Sequence, residues 1–327
     1  MRSPTLSVCI PTYNYGRFIA QAVESVRAQD DPDLEVLVLD GGSADDTPAV
    51  VRSLAAAWPA LRYVRQEAPG GIDADLARSV ELARGDHVWL LSADDALEGG
   101  ALRRIRVEFA AGRDLVLCNR TWCDKDLVAV AHQSWLHRGV DRVVDLSRVE
   151  EALAYFQAAR SLGAVFSFMS CIGFLRAAWM NAQPPAAVRC YTHVGRLFAM
   201  ARGGAQLGYV AAPLVRCRGG IDSFSAAGLA GRLLIDLQGY RALADTLFPA
   251  DERVRRAFLA IVRREHPFRR WVRARSEAGD SGAWRPLEDE LARYGLSSLE
   301  RFAIRAAGRG LRTLRAQSLV KSPGALI

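Results

Sequence analysis

The sequence predicts an α/β protein, a mostly parallel sheet flanked by helices, followed by a carboxyl-terminal helical subdomain with the boundary near residue 225. Three observations lead there. Short apolar runs alternate with stretches of helical spacing four times in the first hundred or so residues. The runs are continuous rather than alternating, as expected of strands buried on both faces. After about residue 226 only helical periodicity is left.

Taken in order, Leu6 to Ile10 is a short buried strand stopping at Pro11, which cannot donate to a sheet ladder. A polar loop follows, and Phe18, Ala22, Val23 and Val26 then recur at helical spacing up to about Gln29. Leu34 to Leu39 is the second strand. It ends in Asp40-Gly41-Gly42-Ser43, before a helix that Asp45 or Asp46 can cap. The third unit runs from Leu61 to Val64 through Pro69-Gly70-Gly71 into a helix over about 72–83. The fourth strand, Val88 to Leu91, ends in Ser92-Ala93-Asp94-Asp95. Right-handed crossovers between such units bring Thr12, Asp40, Asp73 and Asp94 to one sheet edge. A helix to about Ala111 and a strand from Leu115 to Cys118 continue the layer, residues 119–165 read as an insertion, and two closing strands, Gly208 to Ala212 and Leu214 to Cys217, complete it.

At 327 residues, half of them hydrophobic, the chain can bury a large core and is not a disordered protein. It opens with no apolar leader and holds no apolar run of membrane-spanning length, which points to the cytoplasm. The six cysteines show no C-x-x-C pairing and sit among apolar neighbours, so they read as reduced core thiols. Residues 251–327 hold 17 of the 43 basic and 9 of the 36 acidic residues, a net of +8 that leaves −1 for the rest. A basic tail on a near-neutral body points to an anionic surface as partner. In it, Arg301, Arg305, Arg309, Arg312 and Arg315 share one helical face, the layout of a helix lying on anionic lipid or of a plain solvated face. Nucleic acid is the less attractive partner, because no series of aromatic residues interleaves with these arginines as a stacking platform would need.

Two adjacent carboxylates at a strand tip repel each other unless a cation sits between them and a ligand. Asp94 and Asp95 are therefore candidate site residues, with capping of a helix beginning near Glu98 as the plainer role. No G-x-G-x-x-G follows the first strand and no P-loop motif occurs.

Three stretches together, Val8-Cys9-Ile10-Pro11-Thr12-Tyr13-Asn14, Val38-Leu39-Asp40-Gly41-Gly42-Ser43, and Arg84-Gly85-Asp86 leading to Ser92-Ala93-Asp94-Asp95, resemble family 2 glycosyltransferases of the GT-A (Rossmann-like) fold. The segment Pro69-Gly70-Gly71-Ile72-Asp73-Ala74-Asp75 resembles a narrower group, the abequosyltransferase-like enzymes of O-antigen synthesis. The resemblance covers about residues 5–245 and implies a GT-A nucleotide-sugar-binding and catalytic domain over 1–225, with a basic helical subdomain over 226–327. Its loop Pro11, Thr12, Tyr13 and Asn14 cradles the nucleotide, and Asp40 meets the base or serves as a turn residue. Asp94 lies near ribose or sugar, and Asp95 holds Mn²⁺ or Mg²⁺ against the diphosphate. Many members carry Ala-Arg-Asn where this chain has Leu76-Ala77, so Arg78 does not inherit the role of that arginine, and Asp73 becomes a contact to base, ribose or sugar, or else a helix cap. The family's acceptor-activating Glu-Asp is replaced by Thr192-His193. A histidine can take a proton at neutral pH or ligate the metal, so His193 reads as base, as metal ligand, or as an inert residue of a capped helix. Arg218, before Gly219-Gly220, offers a fork to the diphosphate from a mobile loop.

The implied reaction is metal-assisted transfer of a sugar from a nucleotide donor to a hydroxyl of a lipid-linked bacterial surface saccharide, on the inner face of the cytoplasmic membrane. A nucleotide-binding scaffold that has lost its base is the alternative. A nucleotidyltransferase lacks support, since no basic, glycine-rich triphosphate loop occurs.

Overall fold

The computed structural model describes residues 5–185, 191–220, 228–279 and 282–320, with side chains described up to 314 in the last of these. It divides into two compact units, Met1–Gly220 and Ile221–Ile327. Cys190 and residues 221–225, which follow Gly219-Gly220, lie outside the described residues.

The first unit opens with four strand-to-helix steps. Strand β1 (Leu6–Thr12) leads to helix α1 (Gly16–Arg27), β2 (Leu34–Asp40) to α2 (Thr47–Ala57), and β3 (Leu61–Arg65) to α3 (Ile72–Leu82). Strand β4 (His87–Leu90) is followed by a two-residue strand β5 (Ala96–Leu97) and α4 (Ala101–Ala110). Every residue of β2 is buried and so is nearly all of β1, which is why both read as uninterrupted apolar runs. Strands β3, β2, β1 and β4 pair in parallel in that order, and the register sets Thr12 beside Asp40. Their carboxyl ends therefore form one edge, the place where open α/β sheets bind ligands.

The second half of the unit is less regular than the sequence predicts. Strand β6 (Leu115–Cys123) outruns the expected Cys118 and turns back as β7 (Ala129–Gln133), followed by β8 (Arg142–Val144) and α5 (Val149–Ala158). The stretch read as an insertion thus extends the sheet, with β7 pairing β6 and β8 pairing the last strand. Strand β9 (Ile172–Leu175) inserts antiparallel between β4 and β6, and α6 (Arg176–Asn181) and α7 (Thr192–Arg202) follow. The two expected closing strands are one, β10 (Leu207–Cys217). Its register against β6 shifts on either side of Pro213, whose missing N–H interrupts the ladder.

The five described cysteines are free and buried. Trp135 is buried too, with its indole N–H on the Cys118 carbonyl, and is a packing anchor.

The second unit comprises α8 (Gly228–Leu247), α9 (Glu252–Glu265), α10 (Phe268–Ala278), α11 (Trp284–Arg293) and α12 (Ser298–Val320). Leu233, Leu237 and Tyr240 of α8 and Val254, Phe258, Ile261 and Val262 of α9 are buried, as the helical spacing requires. The arginine face of α12 is partly turned inward. Arg301 donates to the Leu296 carbonyl and Arg305 pairs with Glu288, while Leu299, Phe302 and Leu314 stand exposed. Among the described residues no helix is long and apolar enough to cross a membrane.

Candidate active site

The tip of β4 is organised by a serine from another part of the chain. Ser170 accepts from the Ser92 N–H through Oγ (2.9 Å), donates from the same Oγ to Asp95 Oδ2 (2.5 Å), and takes the indole N–H of the fully buried Trp89 on its carbonyl (2.8 Å). Asp95 Oδ1 accepts the Arg218 N–H at 3.1 Å, so both of its oxygens carry a protein donor. Asp94 Oδ1 accepts from Ser92 Oγ, and its carboxylate has no further donor from another described residue. Neither aspartate caps a helix. Strand β5 intervenes, and α4 starts after Gly100 without a side-chain cap, so the plainer reading of the pair falls away.

The electrostatics of the pair are unfavourable as it stands. Asp95 is 2% exposed, and burial together with the neighbouring Asp94 charge pushes its pKa up to about 7. Burial also raises that of Asp94, over the opposing effect of the Ser92 hydrogen bond. A carboxylate pair held this way matches a divalent cation, which removes the repulsion and takes its remaining ligands from water and phosphate. The donor set fits such an ion through Asp94 and the unused lone pairs of Asp95. No group of three or more His, Cys, Asp or Glu able to hold a metal occurs among the described residues.

Arg218 is placed differently from expectation. It is 4% exposed, and its guanidinium donates to the Asp94 carbonyl (2.9 Å), the Lys125 carbonyl (2.5 Å) and Gln21 Oε1 (2.5 Å) while lying over the Phe18 ring. The fork is committed to protein acceptors and clamps the β4 tip, instead of being presented to a diphosphate on a mobile loop. The physical reason is burial: a guanidinium with so little water contact takes every acceptor within reach.

The loop after β1 is tied to the loop after β2. Asn14, in the left-handed region at φ 60, donates its N–H to Ser43 Oγ and accepts the Ala44 N–H on Oδ1, both at 2.8 Å. Asp45 accepts the Thr47 hydroxyl (2.5 Å) and the N–H groups of Thr47 (3.0 Å) and Gly16 (3.1 Å); burial works against its ionised form, but these bonds prevail and its pKa is lowered. Pro11 is half-buried and Tyr13 exposed, while Thr12 is buried with its hydroxyl lacking a partner.

Asp40 is wholly buried. Its Oδ1 accepts the Ser43 N–H (2.8 Å) and its Oδ2 the Tyr63 hydroxyl (2.6 Å), with Arg65 Nε at 3.7 Å. The turn role is therefore realised, and both oxygens of this fully buried carboxylate have protein donors.

His193, at the start of α7, lies between two acceptors. Its Nε2 is 3.2 Å from the Phe166 carbonyl, which can only accept, so Nε2 carries the proton and Nδ1 faces Asp73 Oδ1 at 3.9 Å. That separation is an ion-pair distance, too long for a hydrogen bond. Asp73 also accepts the Thr192 N–H at 3.3 Å. Burial raises the pKa of Asp73, yet His193 and Thr192 outweigh it and the net shift is downward. Asp73 does not cap its own helix, since the residue before α3 is Gly71 and no side chain bonds there. Phe166 itself sits at φ 66, a strained backbone for a bulky residue costing about 1 kcal/mol, and its carbonyl is the one holding His193. Among the described residues Asp94, Asp95 and His193 do not come together as a metal-binding group, so the joint metal role of His193 with Asp95 is not supported.

Serines 92 and 170 and Gln21 were not foreseen as site residues. Ser92 lay inside the quoted motif. Ser170 and Gln21 carry no local signal, because their partners lie 75 and 197 residues away.

Comparison with known proteins bears on this geometry. The glycosyl transferase family 2 pattern matches residues 7–179. Over 302 residues, 89% of each chain, the sequence is 30% identical to abequosyltransferase RfbV of Salmonella typhimurium. The TarS fragment 1–349 of S. aureus, solved in complex with UDP, superposes with a TM-score of 0.64 at 15% identity, covering 96% of this chain and 92% of that one. The mannosyltransferase PcManGT of Pyrobaculum calidifontis, solved with GDP-Man and Mn²⁺, gives 0.50 at 18% identity, covering 96% and 88%.

Proposed function

The chain belongs to glycosyl transferase family 2 and is a glycosyltransferase; we propose that it moves a sugar from a nucleoside-diphosphate donor to a hydroxyl of a lipid-linked bacterial surface saccharide. The observation that carries this reading is the Asp94–Asp95 tip, a buried and mutually repelling carboxylate pair fixed by Ser92, Ser170 and Arg218 at the ligand-binding edge of the sheet. Asp94 and Asp95 would hold Mn²⁺ or Mg²⁺ there, and such an ion, when bound, neutralises the charge that develops on the departing diphosphate. The loop of Pro11, Thr12, Tyr13 and Asn14 borders the nucleotide.

In the transfer the bond from the sugar's anomeric carbon to the diphosphate breaks, a new bond to the acceptor oxygen forms, and the acceptor's proton leaves. His193 Nδ1 takes that proton. Asp73 faces the nitrogen that becomes charged and stabilises the imidazolium. A membrane-bound acceptor is supported by the exposed Leu299, Phe302 and Leu314 on a helix of the basic carboxyl-terminal region.

The test is release of nucleoside diphosphate from UDP-, CDP-, GDP- and dTDP-sugars, with Mn²⁺, in the presence and absence of membrane-extracted bacterial glycolipids. Acceptor-dependent release from one donor class, lost on chelation, supports the reading. Tight donor binding with no release on any acceptor would mean a scaffold instead, and pyrophosphate release from nucleoside triphosphates would mean a nucleotidyltransferase.

A further inference from the structure

We propose that Asp75 reads the nucleobase of the donor, accepting an N–H of the base edge on its Oδ2. The inference rests on the nucleotide-donor reading above and assigns within it a contact that Asp40 does not supply.

Asp75 lies in the first turn of α3 and is 6% exposed. Its two oxygens are treated unequally. Oδ1 accepts from Gln66 Nε2 at 2.6 Å and from the Gly70 N–H at 3.1 Å, so the carboxylate is held in one orientation by two donors. Oδ2 receives no donor from any described residue. A carboxylate oxygen that no protein donor meets, in a residue otherwise nearly buried, is left to water or to a ligand.

What surrounds Oδ2 explains how a ligand reaches it. A Cβ at Gly41 would stand 2.8 Å from Oδ2, and one at Gly70 the same distance from Oδ1, so the glycines keep side chains off both oxygens. Gly41 directly follows β2 and gives its own N–H to the Thr12 carbonyl at 2.9 Å. Thr12 belongs to β1, and its buried hydroxyl lacks a partner. Oδ2 thus lies beside Gly41 at the carboxyl end of β2, next in the sheet to the end of β1. The complementary ligand group is an N–H, which the Watson–Crick edge of a nucleobase carries. Asp40, one residue away, has both oxygens occupied and serves the turn.

The orientation of Asp75 gives a sharp test. In Asp75→Asn the two donors at Oδ1 hold the amide oxygen in that place, which puts the NH₂ where Oδ2 was. An acceptor becomes a donor with no change of shape. Calorimetric titrations of UDP, CDP, GDP, dTDP and inorganic pyrophosphate, all with Mn²⁺, are made on wild type, Asp75→Asn and Gly41→Ala. The expected result is that the nucleotide preferred by wild type loses about tenfold or more in both variants while pyrophosphate binding is unchanged. Gly41→Ala sets a methyl group against Oδ2 and blocks access to it while the carboxylate keeps its charge, so agreement of the two variants ties the loss to that oxygen. Nucleotide affinity retained in Asp75→Asn overturns the assignment and leaves the transferase reading intact. Equal loss of nucleotide and pyrophosphate also overturns it, since Asp75 would then only brace the loop. If wild type binds no nucleotide, the donor reading itself fails, and the assignment with it.

Discussion

The two corners of the first unit proposed to carry catalysis are held in opposite ways. At the β4 tip, Asp95 is enclosed, both of its oxygens have donors within 3.1 Å, and Arg218 is clamped across the top by three further acceptors. At the start of α7, His193 meets one carbonyl at 3.2 Å and one carboxylate at 3.9 Å. The first corner has fixed geometry and an unresolved charge. The second has the looser geometry. A metal-binding corner needs preset ligands, because the ion's coordination shell tolerates little displacement, whereas a proton acceptor must leave room for the hydroxyl it deprotonates.

Breaking the rigid corner should cost most. Asp95→Ala removes the charge that would face the metal, and turnover is expected to fall by about a thousandfold or more, given a contribution of several kcal/mol to the departing diphosphate. Initial rates at saturating Mn²⁺ check this, and a variant within tenfold of wild type would contradict it. His193→Ala comes next. Loss of a general base costs about 10² to 10⁴ in turnover with donor affinity unchanged. Parallel kinetics and donor titration separate this from a structural role, which would weaken both. Ser170→Ala sharpens the comparison, since that serine only positions Asp95. Mn²⁺ affinity should weaken by roughly 10- to 100-fold, while nucleotide binding without metal stays as it was.

The smallest effect is on stability. The folded-state pKa of Asp95 is raised to about 7 from an ordinary value near 3.8, so the metal-free folded state holds a proton that the unfolded chain has released. That contribution favours folding at low pH and is lost as pH rises from about 4 through 7. Metal-free Asp95→Asn should therefore melt higher than wild type at pH 8, by a few degrees at most, and show no such advantage at pH 4. Thermal scans in chelator at the two pH values decide it. A wild type that melts higher than the variant at pH 8 would mean that the pair is not strained.

How much of this was legible in the sequence depended on how far apart the partners are. Strands β1 to β4 and the acidic tip could be read because a buried strand and its turn are local events, written in runs such as Leu34 to Leu39 followed by Asp40-Gly41-Gly42. The antiparallel insertion of β9 could not, since Ile172–Leu175 pairs with residues 87–89 and 115–117, and nothing near it in sequence specifies that register. Arg218 reads in the sequence as a fork before Gly219-Gly220, but in the fold its partners are protein acceptors. Its acceptors at Gln21, Asp94 and Lys125 come together only in the folded sheet. Asp40 shows the reverse case, where the plain local reading of a turn-forming aspartate prevailed.

Asp94 and Asp95 are proposed to hold a divalent metal against the donor's diphosphate. The most direct measurement is a calorimetric titration of the preferred nucleoside diphosphate into wild type and Asp95→Ala, with and without Mn²⁺. Binding that strengthens with Mn²⁺ in wild type, and does not respond to Mn²⁺ in the variant, is the predicted result. Binding that ignores Mn²⁺ in wild type, or that responds to it equally in Asp95→Ala, would contradict the claim and leave the carboxylate pair with a purely structural role at the tip of β4.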